Sequence, residues 1–171
     1  IANYNYIENP GLKTRIMKIM VAYDNYADGR DANGSSVFQR IEFIKASLNI
    51  IKENILFGVG TGDIADAFAN YYEETNSKLL PENRFRSHNQ YLAITVAFGI
   101  VGLLWFLFSM FYPIFADKKN RNYLYLIFIL IMALSMLTED TLETQIGVTL
   151  FAFFNSFLVF TRDFDSDSLS R

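Results

Sequence analysis

Residues 91–116, YLAITVAFGIVGLLWFLFSMFYPIFA, run without a charged side chain. As a helix this segment would reach ~39 Å, against ~30 Å of hydrocarbon in a bilayer. Pro113 should end or kink its last turn, because proline has no amide proton to continue the ladder. Two further charge-free runs follow, 122–138 (NYLYLIFILIMALSMLT) and 144–161 (TQIGVTLFAFFNSFLVFT), each near the minimum spanning length. As buried helices of a soluble core they would need polar surface around them, and three such runs so close together leave too little. The pattern predicts an all-α, polytopic membrane protein, with transmembrane helices at about 91–114, 122–138 and 144–161. Nothing alternates with period two as a barrel strand would.

The loops orient these spans. DKKNR (117–121) joins the first two and is basic, whereas EDTLE (139–143) joins the next two and holds three acids. The positive-inside rule puts the basic loop in the cytoplasm, and with it the tail 163–171, which is polar enough to be expected disordered. Residues 1–90 and the acidic loop then face outward, the first as a large periplasmic loop with amphipathic helices. A net charge of −3 makes no case for nucleic acid. With no cysteine and a single histidine, thiolate zinc sites, cysteine nucleophiles and histidine-rich metal sites are excluded, and neither metal nor cofactor is expected. The chain starts at Ile1 without a cleavable leader, which suggests part of a longer protein.

In the outer part, Val37, Ile41, Ile44, Leu48, Ile51 and Ile55 recur at steps of three and four, predicting a helix over 36–54 with one apolar face. Ser36 and Gln39 have capping-box spacing at its start. Arg40 falls in the first turn, where the helix dipole prefers acids, an unfavourable placement that marks it as a candidate. GVGTGD (58–63) breaks the chain before a second helix, and a further helix is plausible over 11–26. The glycines lack both the spacing of a dinucleotide fingerprint and the Lys-Ser/Thr of a P-loop, so an interhelical turn is expected.

The two parts meet at NRFRSHNQYL (83–92), which holds the only histidine. Ser87 and Gln90 repeat the capping-box spacing, predicting Ser87 as the N-cap of the first membrane helix and His88 as its first residue. A positive helix end, with Arg84 and Arg86 beside it, disfavours imidazolium, and a neutral imidazole can accept a proton. The same groups suit a pyrophosphate, whose oxygens match the guanidinium fork. Arginine and histidine at a membrane boundary also serve as interfacial anchors, and that alternative stays open. Glu139 and Glu143, four apart, would share a helix face at the same outer level; they are supporting candidates, as is Asn89 next to the histidine.

RIEFIKASLNIIKENILFGVGTG (40–62), HNQYL (88–92) and FGIVGLL (98–104), in that order, resemble the signature region of the O-antigen ligase and O-antigen polymerase superfamily. LTEDTLETQIG (137–147) is similar to a later segment of it, so that the resemblance runs over roughly 36–160, with Asn54 where the family often has proline. It implies a multi-pass glycosyltransferase of the bacterial inner membrane, its active site facing the periplasm. Such enzymes move a glycan from undecaprenyl pyrophosphate to an acceptor hydroxyl on lipid A core, a protein or another glycan, without nucleotide sugar or metal. The family's loop arginine corresponds to Arg40 and its histidine to His88; Arg84 and Arg86 are added by proximity and chemistry. An arginine expected on an earlier membrane helix is absent, as are the family's N-terminal transmembrane helices, so the segment by itself is expected to be inactive. Ligase and polymerase are alternatives within this superfamily. A transporter or membrane scaffold is a distant one, which would call for broken helices carrying midplane charges.

Overall fold

The computed structural model describes residues 36–77, 79–84, 86–116 and 123–168, with Met17, Met20, Val21, Tyr23 and Asp24 ahead of them. Those five are helical and fall within the helix expected over 11–26. The basic loop 117–121 and most of the polar loop 27–36 lie outside the described residues. Among the described residues every regular element is helical: α1 (Ser36–Glu53), α2 (Ile64–Glu74), α3 (Gln90–Ala116), α4 (Tyr123–Ser135) and α5 (Gln145–Ser168), with 3-10 turns at Pro81–Asn83 and Thr141–Glu143.

α1 forms where its periodicity predicts, but it buries a different face. Phe38, Phe43, Ala46, Ser47 and Ile50 are inside, whereas Val37, Ile44, Leu48 and Ile55 of the expected stripe are exposed. Two phenylalanines bury more apolar area than the aliphatics they displace, and the small Ala46 and Ser47 let neighbouring chain come close. The Ser47 hydroxyl is satisfied inside by donating to the Phe43 carbonyl (2.8 Å). Phe68 and Tyr72 of α2, Leu79 and Val96 of α3 complete this cluster. Ser36 is the first helical residue and not a cap.

α3 is not one continuous rod. Gly99 takes φ 66° and ψ −167°, a break nine residues into the helix, while Pro113, where an end or kink was expected, lies inside it. Such a break frees the carbonyls of Val96 and Ala97 and the amides of Ile100 and Val101. The connection between α1 and α2 takes up all four. Val59 and Gly60 donate to Val96 and Ala97 (both 2.9 Å), and Ile100 and Val101 donate to Ile55 and Leu56 (2.8 and 3.4 Å). Left unpaired away from water, each group would cost about 1–3 kcal/mol. Two glycines make the approach possible: a Cβ on Gly58 would stand 2.5 Å from the Ala97 carbonyl carbon, and one on Gly99 would overlap the Leu56 carbonyl. The GVGTG turn therefore does more than join two helices.

α4 and α5 pack beside the later part of α3 around Met110, Tyr125, Ile129, Met132 and Met136. Tyr125 donates its hydroxyl to Asn155 Oδ1 of α5 (3.0 Å), and Tyr91 donates to the Ala133 carbonyl (2.9 Å). By length and composition one helix, Gln90–Phe115, is apolar enough to cross a membrane; Tyr123–Ser135 and Gln145–Phe160 are apolar but shorter. α5 continues to Ser168, so much of the tail expected to be disordered is helical.

Candidate functional site

His88 sits just ahead of α3, not within it. The cap is Asn89: its Oδ1 accepts from the Leu92 amide (3.0 Å), and its Nδ2 donates to the Leu137 carbonyl (2.8 Å). Ser87, the expected cap, is buried with no partner for its hydroxyl among the described residues. Gln90 does not close a capping box either. Its amide donates to the Met136 carbonyl (3.0 Å), and its Oε1 accepts from the Leu142 amide (2.7 Å). Asn89 and Gln90 thus stitch the start of α3 to the turn between α4 and α5, which holds the acidic segment 139–143 against the histidine.

Nδ1 of His88 lies 3.9 Å from Glu139 Oε2 and 3.8 Å from Asp140 Oδ1. The charges nearest the imidazole are therefore acidic, where the sequence suggested the two arginines. Glu139 has a second engagement, because its Oε1 accepts from Arg40 Nη2 at 3.3 Å. One carboxylate thus joins the arginine of α1 to the histidine before α3. Both partners of this ion pair are about half exposed, so it contributes at most ~1 kcal/mol, and its weight is in positioning. The imidazole is also packed edge-on against Phe43, ring centroids 6.0 Å apart. Arg40 and Phe43 are one helical turn apart, so a single face of α1 serves both Glu139 and His88.

The other arginines diverge. Arg86 Nη1 pairs with Glu143 Oε2 (3.2 Å), the far end of the same acidic turn. Arg84 is turned toward α2: its Nε donates to the Leu79 carbonyl (3.0 Å), and its guanidinium lies over the Tyr72 ring, 5.8 Å from the centroid. Burial first, then Glu42 and Tyr71, raise the Tyr72 phenol above its ordinary value, with Arg84 opposing. Arg84 and Arg86 both line a cavity of about 390 Å³ with Tyr72, Glu73 and Pro81. A larger apolar groove of about 940 Å³ runs along α3 past Phe98, Val101 and Trp105, with Phe57 on its edge.

Glu139 and Glu143 do not share a helix face, because the segment is a bend followed by a 3-10 turn. That geometry brings in Asp140, which an i,i+4 reading passes over. His88, Glu139 and Asp140 each offer a ligand atom within 4.8 Å of the others, a spacing a cation could use, although Arg40 already brings a positive charge to Glu139. Phe43 was the other residue missed; its spacing from Arg40 was the available signal.

A protein-family model described as O-antigen ligase matches residues 9–107, more than half of the chain. The chain belongs to the O-antigen ligase family. Membership places it among glycosyltransferase-like enzymes of bacterial membranes. The O-antigen ligase match contains Arg40, Arg84, Arg86, His88 and Asn89, and ends inside α3 before the acidic turn that holds Glu139 and Glu143. No curated protein matches the chain at a significant level.

Proposed function

We propose that the protein transfers a glycan from undecaprenyl pyrophosphate to an acceptor hydroxyl at the outer face of the inner membrane, as an O-antigen ligase. The observation that carries this is Glu139, hydrogen-bonded to Arg40 and facing His88 in one cluster at the outer end of α3. α3, α4 and the apolar part of α5 are its three spans, with 117–121 on the cytoplasmic side.

Nδ1 of His88 faces the two acids, which leaves Nε2 to take the proton of the acceptor hydroxyl. The acceptor oxygen bonds to the anomeric carbon as its bond to the pyrophosphate oxygen breaks, with inversion. The bonding pair leaves with undecaprenyl pyrophosphate. Arg40 offsets the charge that builds there, and Arg86, held by Glu143 at the far end of the same acidic turn, is the second arginine for it. The cavity lined by Arg84 and Arg86 accommodates sugar units next to this centre, and the groove along α3 suits a polyprenyl chain.

The test uses the full-length protein in membranes loaded with undecaprenyl-pyrophosphate glycan. His88→Ala and Arg40→Ala should each abolish transfer, a loss of at least ~100-fold, while His88→Ala still binds the lipid-linked donor. Intact glycan moved in one step on a gel supports ligation, whereas a growing ladder would make the protein the polymerase of the same superfamily. Full activity in both variants would reduce the cluster to an interfacial anchor.

A further inference from the structure

Ile55, Leu56 and Phe57 are three consecutive apolar side chains, exposed to 57, 57 and 75%. They form the tip of the α1–α2 connection, and residues 54–62 carry no charge, while Lys52 and Glu53 precede them and Asp63 follows. Their level is fixed by backbone hydrogen bonds, since Ile55 and Leu56 accept from Ile100 and Val101 of α3. Below that point α3 continues over 100–116, ~25 Å at ~1.5 Å per residue, against ~30 Å of hydrocarbon. With the Ala116 end of α3 at the inner edge of that layer, the tip would fall just inside its outer edge, and not out in the periplasm. Phe57 continues the exposed apolar surface of α3 at Val101, Leu104 and Trp105.

We propose that Ile55, Leu56 and Phe57 are inserted among the lipid acyl chains of the outer leaflet, so that the α1–α2 connection is a membrane-embedded hook and not wholly a periplasmic loop. The proposal rests on α3 being a membrane span. Non-helical backbone is tolerated at that depth only if its polar groups are satisfied by protein, and the broken segment of α3 does this for Ile55, Leu56, Val59 and Gly60. Lys52 can extend its ammonium to the headgroups from one turn above. A shallow insertion of ~5–10 Å is what a short apolar element with charged flanks sustains.

This sequence has no cysteine, and with any cysteine outside it replaced, single thiols are introduced at Phe57→Cys, at Leu56→Cys as a second tip position, and at Leu104→Cys on α3 as the reference. Each variant of the full-length protein is labelled with an environment-sensitive fluorophore in phosphatidylcholine and phosphatidylglycerol proteoliposomes. It is then challenged with a nitroxide carried near the top of a lipid acyl chain and with aqueous iodide. Labels at 56 and 57 should lose most of their intensity to the nitroxide and little to iodide. Quenching of both tip labels by iodide, or protection of both from either quencher, would overturn the insertion in favour of water or covering protein. A reference label at 104 that is itself reached by iodide would overturn the span, a failure distinct from that of the hook alone.

Discussion

Glu139 is the residue on which the cluster turns, because its two oxygens face different partners, Arg40 and His88. Glu139→Gln keeps the size of the side chain and removes the charge. It is expected to lower kcat by ~10–100-fold with little change in KM for the lipid-linked donor, on the scale of a misplaced catalytic group. Glu139→Asp, which keeps the charge on a shorter arm, should recover part of the loss. If activity instead falls only in step with thermal stability, Glu139 is a strut and not a positioning residue. Arg86, His88, Glu139 and Glu143 could be singled out in the sequence because they flank charge-free runs, and Arg40 because of its place early in a helix. Their pairing was not. Glu139 and Arg40 are 99 positions apart, and no local pattern reports a contact across that distance. Asn89 replaced Ser87 as the cap for a related reason: its amide both accepts from Leu92 and donates to Leu137, and only the second element shows why the longer side chain is preferred.

At the scale of elements, α1 lies where apolar periodicity predicts it, α2 after the GVGTGD break and α3 along the charge-free run, since all three signals are local. The break at Gly99 was hidden in an apolar run, because a glycine there is compatible with a continuous helix. What decides it is the loop that fills the gap. Two substitutions separate conformation from contact. Gly60→Ala meets open space and bears only the strain of φ 85°, about 1–2 kcal/mol. Gly99→Ala adds to a comparable strain an overlap with the Leu56 carbonyl, and should destabilise by several kcal/mol. Unfolding in detergent, with proteolysis at residues 54–62, would measure both. Equal effects would mean that the loop does not press on the helix. The buried face of α1 was misread because periodicity selects spacing, and both the aliphatic and the phenylalanine sets have helical spacing; the neighbouring α2 and α3 chose between them.

For the whole molecule, two apolar clusters meet at α3, one with α1 and α2 and the other with α4. In the second, Tyr125 donates to Asn155 and joins α4 to α5 inside apolar surroundings, where such bonds contribute about 1 kcal/mol. Tyr125→Phe should therefore loosen α5 modestly, seen as faster hydrogen exchange over residues 145–160, while the α1–α3 cluster keeps its protection. The all-helical class and the membrane character were legible from charge-free runs. Their bounds were less so, because the apolar run sets where a helix can lie but the turn at 136–143 decides where α4 stops and α5 starts.

The shared acid also orders events in time. Arg40 and His88 leave the ribosome well before Glu139, which follows α4 in the chain. Until the turn between α4 and α5 has closed onto Asn89 and Gln90, the arginine and the histidine lack Glu139 to unite them. A chain whose last helices insert wrongly would then leave this cluster unassembled, so that correct insertion doubles as a condition for the proposed transfer.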